Sequence, residues 1–174
     1  LKLKDDVSLD HEEAESLDVT VTATDGEGLE LSETLTVNVK DVAEDVQLDD
    51  GGVSYTESGV TETSVTGGDG NDTLKGGSGD DVLFGADGDD LFIYELGSGS
   101  DTIDGGEGWT DTIDLASGTG DLGVYGEDWT VTLTEGEIVN EGEDTLELSE
   151  DATGFIEFDN GETVDFTNIE QIGF

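Results

Sequence analysis

The chain has 174 residues and carries 47 Asp+Glu against 4 Lys+Arg, a formal net charge of −43, on a length that suits one large domain or two to three small ones. With no cysteine and no arginine, disulfides, thiolate metal sites, a cysteine nucleophile and a basic nucleic-acid groove are excluded. Such charge density opposes collapse, yet 32% of the residues are hydrophobic, so folding is expected to need a positive, oxygen-loving partner.

Residues 1–46 show period-two alternation rich in Val and Thr, the pattern of half-buried antiparallel strands. Leu17, Val19 and Val21 keep step in the first run, and Leu35, Val37 and Val39 in the second. Asp25-Gly26-Glu27-Gly28 between them predicts a hairpin turn. Residues 47–66 are a polar stretch with weak strand signals at 53–55 and 60–65, expected to be a joint and the entry cap of the repeat region next to it. Residues 67–114 are an internal repeat. Residues 115–174 return to short strands at 129–133, 145–148, 155–158, 163–166 and 169–174, separated by acidic, Gly-bearing turns. No stretch carries a helical period, so the expected class is all-β.

The repeat begins with GGDGNDTLK (67–75), GGSGDDVLF (76–84) and GADGDDLFI (85–93). LGSGSDTID (96–104) comes after Tyr94 and Glu95, and GGEGWTDTID (105–114) has one extra residue before its aspartate. Glycines at the first, second and fourth positions permit positive φ and let carbonyls converge. The sixth-position carboxylates are Asp72, Asp81, Asp90, Asp101 and Asp111. The eighth positions, Leu74, Leu83, Phe92, Ile103 and Ile113, point one large side chain inward from a very short strand. Two nonapeptides per turn of a parallel β-roll stack loops on a common edge, so Asp72 should face Asp90, and Asp81 should face Asp101. Stacked carboxylates and carbonyls repel unless a hard cation lies between them, and this all-oxygen, irregular set suits Ca2+ better than octahedral Mg2+. Candidate metal ligands are therefore the loop residues Gly67, Asp69, Gly76, Ser78, Gly85 and Asp87 together with the five aspartates. A Gly-Asp linker does not explain an apolar residue at every eighth position.

These nonapeptides resemble the calcium-binding repeats of RTX proteins. The resemblance implies a calcium-bound parallel β-roll flanked by antiparallel β segments. It also implies a roll that is unfolded at low calcium and folds at extracellular calcium, after type I secretion from a Gram-negative bacterium with an uncleaved C-terminal signal. The stretch from WTDTIDL through EDWTVTL to GFIEFDNGETVDFTNIEQIGF resembles the C-terminal end of large RTX adhesins, where it caps the roll and completes the secretion signal. Residues 1–46 resemble the second half of a cadherin-like domain. Leu9-Asp10-His11-Glu12, Thr22-Ala23-Thr24-Asp25-Gly26 and Asp41-Val42-Ala43-Glu44-Asp45 carry that likeness and make Glu12, Asp25 and Asp41, with Glu44, candidate ligands. Ala43, Glu44 and Asp45 depart from the family's pattern, and an ordinary acidic hairpin explains the segment equally well.

Two further expectations concern packing. The outward positions of the middle copies are apolar (Val82, Phe84, Leu91, Ile93), with Tyr94 beside them, so part of 115–174 is expected to cover them. Trp109 and Trp129 are expected to be core or capping residues.

No catalytic constellation emerges. His11 is the sole histidine and lacks the second His of a zinc-protease helix. Gly97-Ser98-Gly99-Ser100 belongs to the repeat and is no nucleophile elbow, and chance pairs among 47 acids make any one carboxylate pair uninformative. The expected function is non-enzymatic: a calcium-binding segment of a secreted bacterial adhesin, at the cell surface or outside it, whose partners are calcium and the type I secretion machinery. The alternative is the RTX tail of a secreted hydrolase with an upstream catalytic domain. With no Met, Leu1 is expected not to be a translation start, so the lack of a leader there says nothing about export. No apolar run approaches the length of a bilayer span, and no membrane insertion is expected.

Overall fold

In the computed structural model, the structure describes residues 16–38, 44–57, 59, 62–118 and 122–174. The chain divides into two compact units, Leu1–Val42 and Ala43–Phe174. Among the described residues all regular structure is strand.

In the first unit, β1 (Ser16–Thr24) pairs antiparallel with β2 (Glu30–Asn38). The turn forms where the acidic Gly-bearing run predicts it. Asp25 Oδ1 accepts the backbone N–H of Glu27 and of Leu29, each at 2.9 Å, and fixes the reversal. One face carries hydroxyl pairs, Thr20 with Thr34 and Thr22 with Ser32. The other carries Leu17, Val21, Leu31, Leu35 and Val37, all exposed.

The second unit is a two-faced roll. Its first-wall strands are β3 (Glu44–Gln47), β5 (Thr63–Thr66), β7 (Val82–Asp87) and β9 (Asp101–Glu107). The facing wall holds β4 (Ser54–Thr56), β6 (Thr73–Lys75), β8 (Leu91–Ile93) and β10 (Thr112–Asp114). Neighbours within each wall are parallel and in register. Eighth-position side chains therefore stack in two columns. Val65, Leu83 and Ile103 form one, and Leu74, Phe92 and Ile113 the other, all buried. Each such side chain contributes about 1.5–3 kcal/mol when taken from water, and stacking identical positions lets a three-residue strand hold that burial without a long element.

The roll starts before the glycine repeat. Residues 47–66, expected as a joint and entry cap, carry β4 and β5, and together with β3 they make the first turn of the roll, whose two walls begin at β3 and β4. Val46 pairs with Val65, and Tyr55 with Leu74, so the inward apolar positions persist where glycines and aspartates do not. Strand pairing needs the eighth-position residue and a backbone; the glycine-aspartate loop is a separate requirement.

Residues after 114 close the far end. β15 (Thr163–Thr167) adds parallel to β9, putting Phe166 on Ile103. β16 (Gln171–Gly173) adds parallel to β10, putting Ile172 on Ile113. From there both walls turn antiparallel. β14 (Thr153–Phe158) and β11 (Trp129–Glu135) extend one, and β13 (Thr145–Leu148) and β12 (Ile138–Glu141) the other. Trp129 is buried in this cap among Tyr125, Phe158 and Phe174.

Two packing expectations change. The cap stacks on the end of the roll and leaves the outer face of its middle open: Phe84 is 37% exposed, and Val82, Leu91 and Ile93 are half-buried. Tyr94 meets the cap, its ring stacked on Phe158 at 5.0 Å. Outward side chains on short parallel strands shelter one another, which reduces the need for a cover. Trp109 is 84% exposed and belongs to no core, unlike Trp129.

Candidate metal centre

The sixth-position aspartates form two ladders along the edges of the roll. On one edge Asp72 N–H donates to Asp90 Oδ1 at 2.8 Å, and Asp90 N–H donates to Asp111 Oδ1 at 2.7 Å. On the other, Asp81 N–H donates to Asp101 Oδ1 at 3.0 Å. The structure thus brings Asp72 to Asp90 and Asp81 to Asp101, as the stacking of two nonapeptides per turn predicts. All five side chains are buried. Val53 and Thr63, which hold the sixth position in the first turn, donate their N–H groups to Asp72 and Asp81 in the same way.

Each aspartate spends one oxygen on the coil before it, and in Asp72, Asp81, Asp90 and Asp111 the second faces its own glycine loop. Among the described residues, Asp81 Oδ2 and Asp90 Oδ2 are buried with no hydrogen-bond partner. A methyl group on Gly85 would collide with Asp90 Oδ2 and the Gly105 carbonyl, and one on Gly67 with Asp72 Oδ2 and the Gly85 carbonyl. The first-position carbonyls therefore rise in a column beside the carboxylates, and Gly76 lies against Asp81 in the same manner. Fourth-position glycines make the second close approach. Gly70, Gly79, Gly88 and Gly99 have φ between 120° and 141°, and a Cβ on Gly88 or Gly99 would strike the carbonyl of Gly70 or Gly79. The side chains of Asp69, Ser78 and Asp87 are exposed. The carbonyls of Asp69 and Asp87 accept the N–H of Gly51 and Gly70, which leaves each a second lone pair.

The electrostatics point the same way. Burial pushes Asp101 up to about 7 and Asp111 up to about 6; stacked neighbours Asp81 and Asp90 add repulsion, against the lowering effect of the backbone hydrogen bond. Asp81 and Asp90 are also raised, chiefly by burial. An oxygen that is buried, unpartnered and disfavoured as an anion is the local signature of a missing positive charge. Among the described residues no group of three or more His, Asp or Glu side chains could hold a metal by itself. A site here draws on carbonyls beside one or two carboxylates, an all-oxygen set that fits Ca2+.

The ladder has one rung that the repeat motif does not reveal. Asp111 N–H donates to Glu170 Oε2 at 2.8 Å, while Glu170 Oε1 accepts the N–H of Asp151 at 3.1 Å. The Asn168 carbonyl lies against Gly105, extending the carbonyl column into the cap. The available signal was spacing: Glu170-Gln171-Ile172 repeats the acid-x-apolar step of Asp111-Thr112-Ile113. Position-five residues also act as loop staples, with Asp80 Oδ1 accepting the N–H of Ser100 and Asp89 Oδ1 accepting those of Trp109 and Thr110. Of the candidates in the first unit, Asp25 is the turn residue described above, whereas Glu12 and Asp41 lie outside the described residues.

A parallel β-roll whose glycine loops converge on stacked, undercompensated aspartates defines a calcium-type solenoid. A family model described as the RTX calcium-binding nonapeptide repeat (4 copies) matches residues 66–98 and 93–122. The chain therefore carries RTX calcium-binding repeats, of a kind typical of secreted proteins. No curated protein and no solved structure matches the chain. Among the described residues no helix is long and apolar enough to cross a membrane.

Proposed function

We propose that this chain is the calcium-folded segment of a secreted bacterial adhesin, exported by type I secretion and structured outside the cell, with no catalytic role of its own. The observation that carries the reading is the pair of buried, unpartnered oxygens, Asp81 Oδ2 and Asp90 Oδ2, each set against its own glycine loop. Bound there, calcium would supply the positive charge that lets stacked carboxylates stay ionised inside a roll. Asp72, Asp81, Asp90, Asp101 and Asp111 would hold it with carbonyls of the loops at 67–70, 76–79 and 85–88, one ion for each stacked pair.

The remaining steps belong to the chain. At low calcium, repulsion among 47 acidic residues keeps the polypeptide extended and threadable. Outside, the roll closes, and because β15 and β16 pair directly with β9 and β10 the cap folds with it. A segment that binds ligand only when folded is stabilised by mass action, so closure outside opposes return into the export channel. In this reading residues 115–174 contain the secretion signal region and residues 1–46 are part of a cadherin-like extender.

The test is far-UV circular dichroism and calorimetry on chelator-treated protein titrated with Ca2+, with Mg2+ as control. A coil-to-β transition driven by Ca2+ alone supports the reading; full β structure without Ca2+ overturns it. Export is checked separately by co-expression with a type I apparatus, where the chain should reach the medium and truncation at residue 114 should retain it in the cell.

A further inference from the structure

The last copy of the repeat is one residue longer than the others, with Trp109 and Thr110 standing before its aspartate. The insertion leaves the roll undisturbed: Asp111 still accepts the Asp90 N–H at 2.7 Å, and Ile113 still stacks on Phe92. The extra backbone is absorbed locally, because the N–H groups of Trp109 and Thr110 both donate to Asp89 Oδ1, at 3.0 and 3.1 Å. The indole is thus carried on a fixed loop and left 84% exposed. It borders an open groove of about 510 Å³ lined by Asn71, Gly88, Asp89, Glu107, Gly108 and Trp109, contributed by three stacked loops. The sixth-position aspartates are not among its lining residues, although Gly88 and Gly108 belong to loops that also face the metal centre.

We infer that the Trp109 groove is a glycan-binding site that seats one neutral pyranose ring against the indole. A lone apolar plate ringed by oxygens is poor ground for a protein partner, whose interface core excludes charge and needs a broad apolar area. A pyranose has the complementary surface, with one face of C–H groups and a rim of hydroxyls. Carboxylates of Asp89 and Glu107 accept from those hydroxyls. Asn71, whose Oδ1 already takes the Asp89 N–H at 3.1 Å, has its Nδ2 left to donate. Gly88 and Gly108 keep the floor free of side chains. The ligand is neutral because the groove and the chain around it are acidic. The inference goes beyond the adhesive reading, since it assigns a ligand class and a place for it.

The experiment uses the full chain in calcium and a panel of neutral hexasaccharides: maltohexaose, isomaltohexaose, cellohexaose, mannohexaose and N-acetylchitohexaose. The readout is the two indole N–H resonances, with buried Trp129 as internal reference. At least one sugar should shift the Trp109 resonance saturably within about 10 mM, the range of weak single-site binding. Trp109→Ala should weaken binding of that sugar, followed by calorimetry, at least about tenfold. Asn71→Asp, which keeps the Oδ1 acceptor for the Asp89 N–H and removes the Nδ2 donor, should weaken it severalfold, and Trp109→Ala should leave the calcium-folding curve unchanged. Binding that survives Trp109→Ala, or no response to any sugar while calcium still folds the chain, overturns the inference. A Trp109 shift produced only by a control protein such as fibronectin assigns the groove to protein docking and also overturns it. Failure of calcium folding itself appears in the dichroism and counts against the proposed function instead.

Discussion

Asp90 uses its two carboxylate oxygens for different purposes: Oδ1 accepts the backbone N–H of Asp72 at 2.8 Å, and Oδ2 is buried with no partner. The first bond belongs to the architecture of the roll and the second oxygen to its ion. Substitutions at this position can therefore separate the two. Asp90→Asn keeps an acceptor for Asp72 and removes a buried charge. Without calcium it should raise stability by about 1 kcal/mol or more, since an uncompensated buried carboxylate is costly; with calcium it should shift the folding midpoint to at least about tenfold higher metal. Asp90→Ala should weaken both states. Calcium titrations followed by circular dichroism distinguish the two, and a calcium-free Asp90→Asn protein less stable than wild type would refute the assignment.

The same burial sets a pH dependence in the absence of metal. Asp101 is pushed up to about 7 and Asp111 to about 6, above the ordinary carboxylate value near 3.8. Between those values the folded chain binds more protons than the unfolded chain, so stability falls as pH rises. The contribution is complete below the unfolded value and is lost through pH 6–7. In chelator, β structure followed by circular dichroism should accordingly grow on acidification from about pH 8 to pH 5, with a flatter profile in calcium. Calcium-free β structure that diminishes over that interval would contradict the burial of these groups.

Ala86 holds the second position of its copy with φ 84°, a conformation that Gly77, Gly97 and Gly106 adopt at the matching places. A Cβ there costs about 1 kcal/mol, so Ala86→Gly should stabilise the calcium-loaded roll by up to that amount despite the extra freedom of glycine when unfolded. Gly88→Ala should do the opposite. Its φ is 141° and its new methyl would meet the Gly70 carbonyl, a strain of about 1–3 kcal/mol. Thermal melts of the two variants in saturating calcium should move in opposite directions.

Roll and cap are joined by Glu162, whose Oε2 accepts Tyr94 Oη–H at 3.1 Å and Gly97 N–H at 2.8 Å. Tyr94 and Gly97 sit where two inserted residues interrupt the repeat. Glu162→Ala leaves both donors without that acceptor and should cost about 1–3 kcal/mol. The loss should appear in the fluorescence of Trp129, whose ring neighbours Phe158, at the same calcium concentration as the loss of roll structure. Separate transitions would mean that the cap folds independently.

Ile172→Ala provides the packing control. Ile172 is fully buried on Ile113, and its truncation should cost about 2–5 kcal/mol. Leu35→Ala on the exposed face of the β1–β2 hairpin should stay within about 0.5 kcal/mol. Chemical denaturation in calcium measures both.

The glycine, aspartate and apolar positions of residues 67–114 were legible in the sequence because each answers a local demand: positive φ, an oxygen, and an inward side chain on a three-residue strand. Their period alone implied which aspartates would stack. The hairpin at Asp25 was legible for the same reason, as a short-range competition for backbone N–H groups. What the sequence did not disclose depended on pairing between distant segments. The first turn of the roll, the seat of Glu170 as the last rung and the end-on docking of β15 and β16 all rest on strands that keep the inward residue of the motif without its full glycine set, with Glu170 standing where the motif has its aspartate. A backbone ladder accepts almost any side chain on its outward side, so such strands carry little signature until their neighbour is in place. The two tryptophans show the same limit. Both lie in acidic, Gly-bearing surroundings, and only the tertiary structure sent Trp129 into the cap and left Trp109 in water.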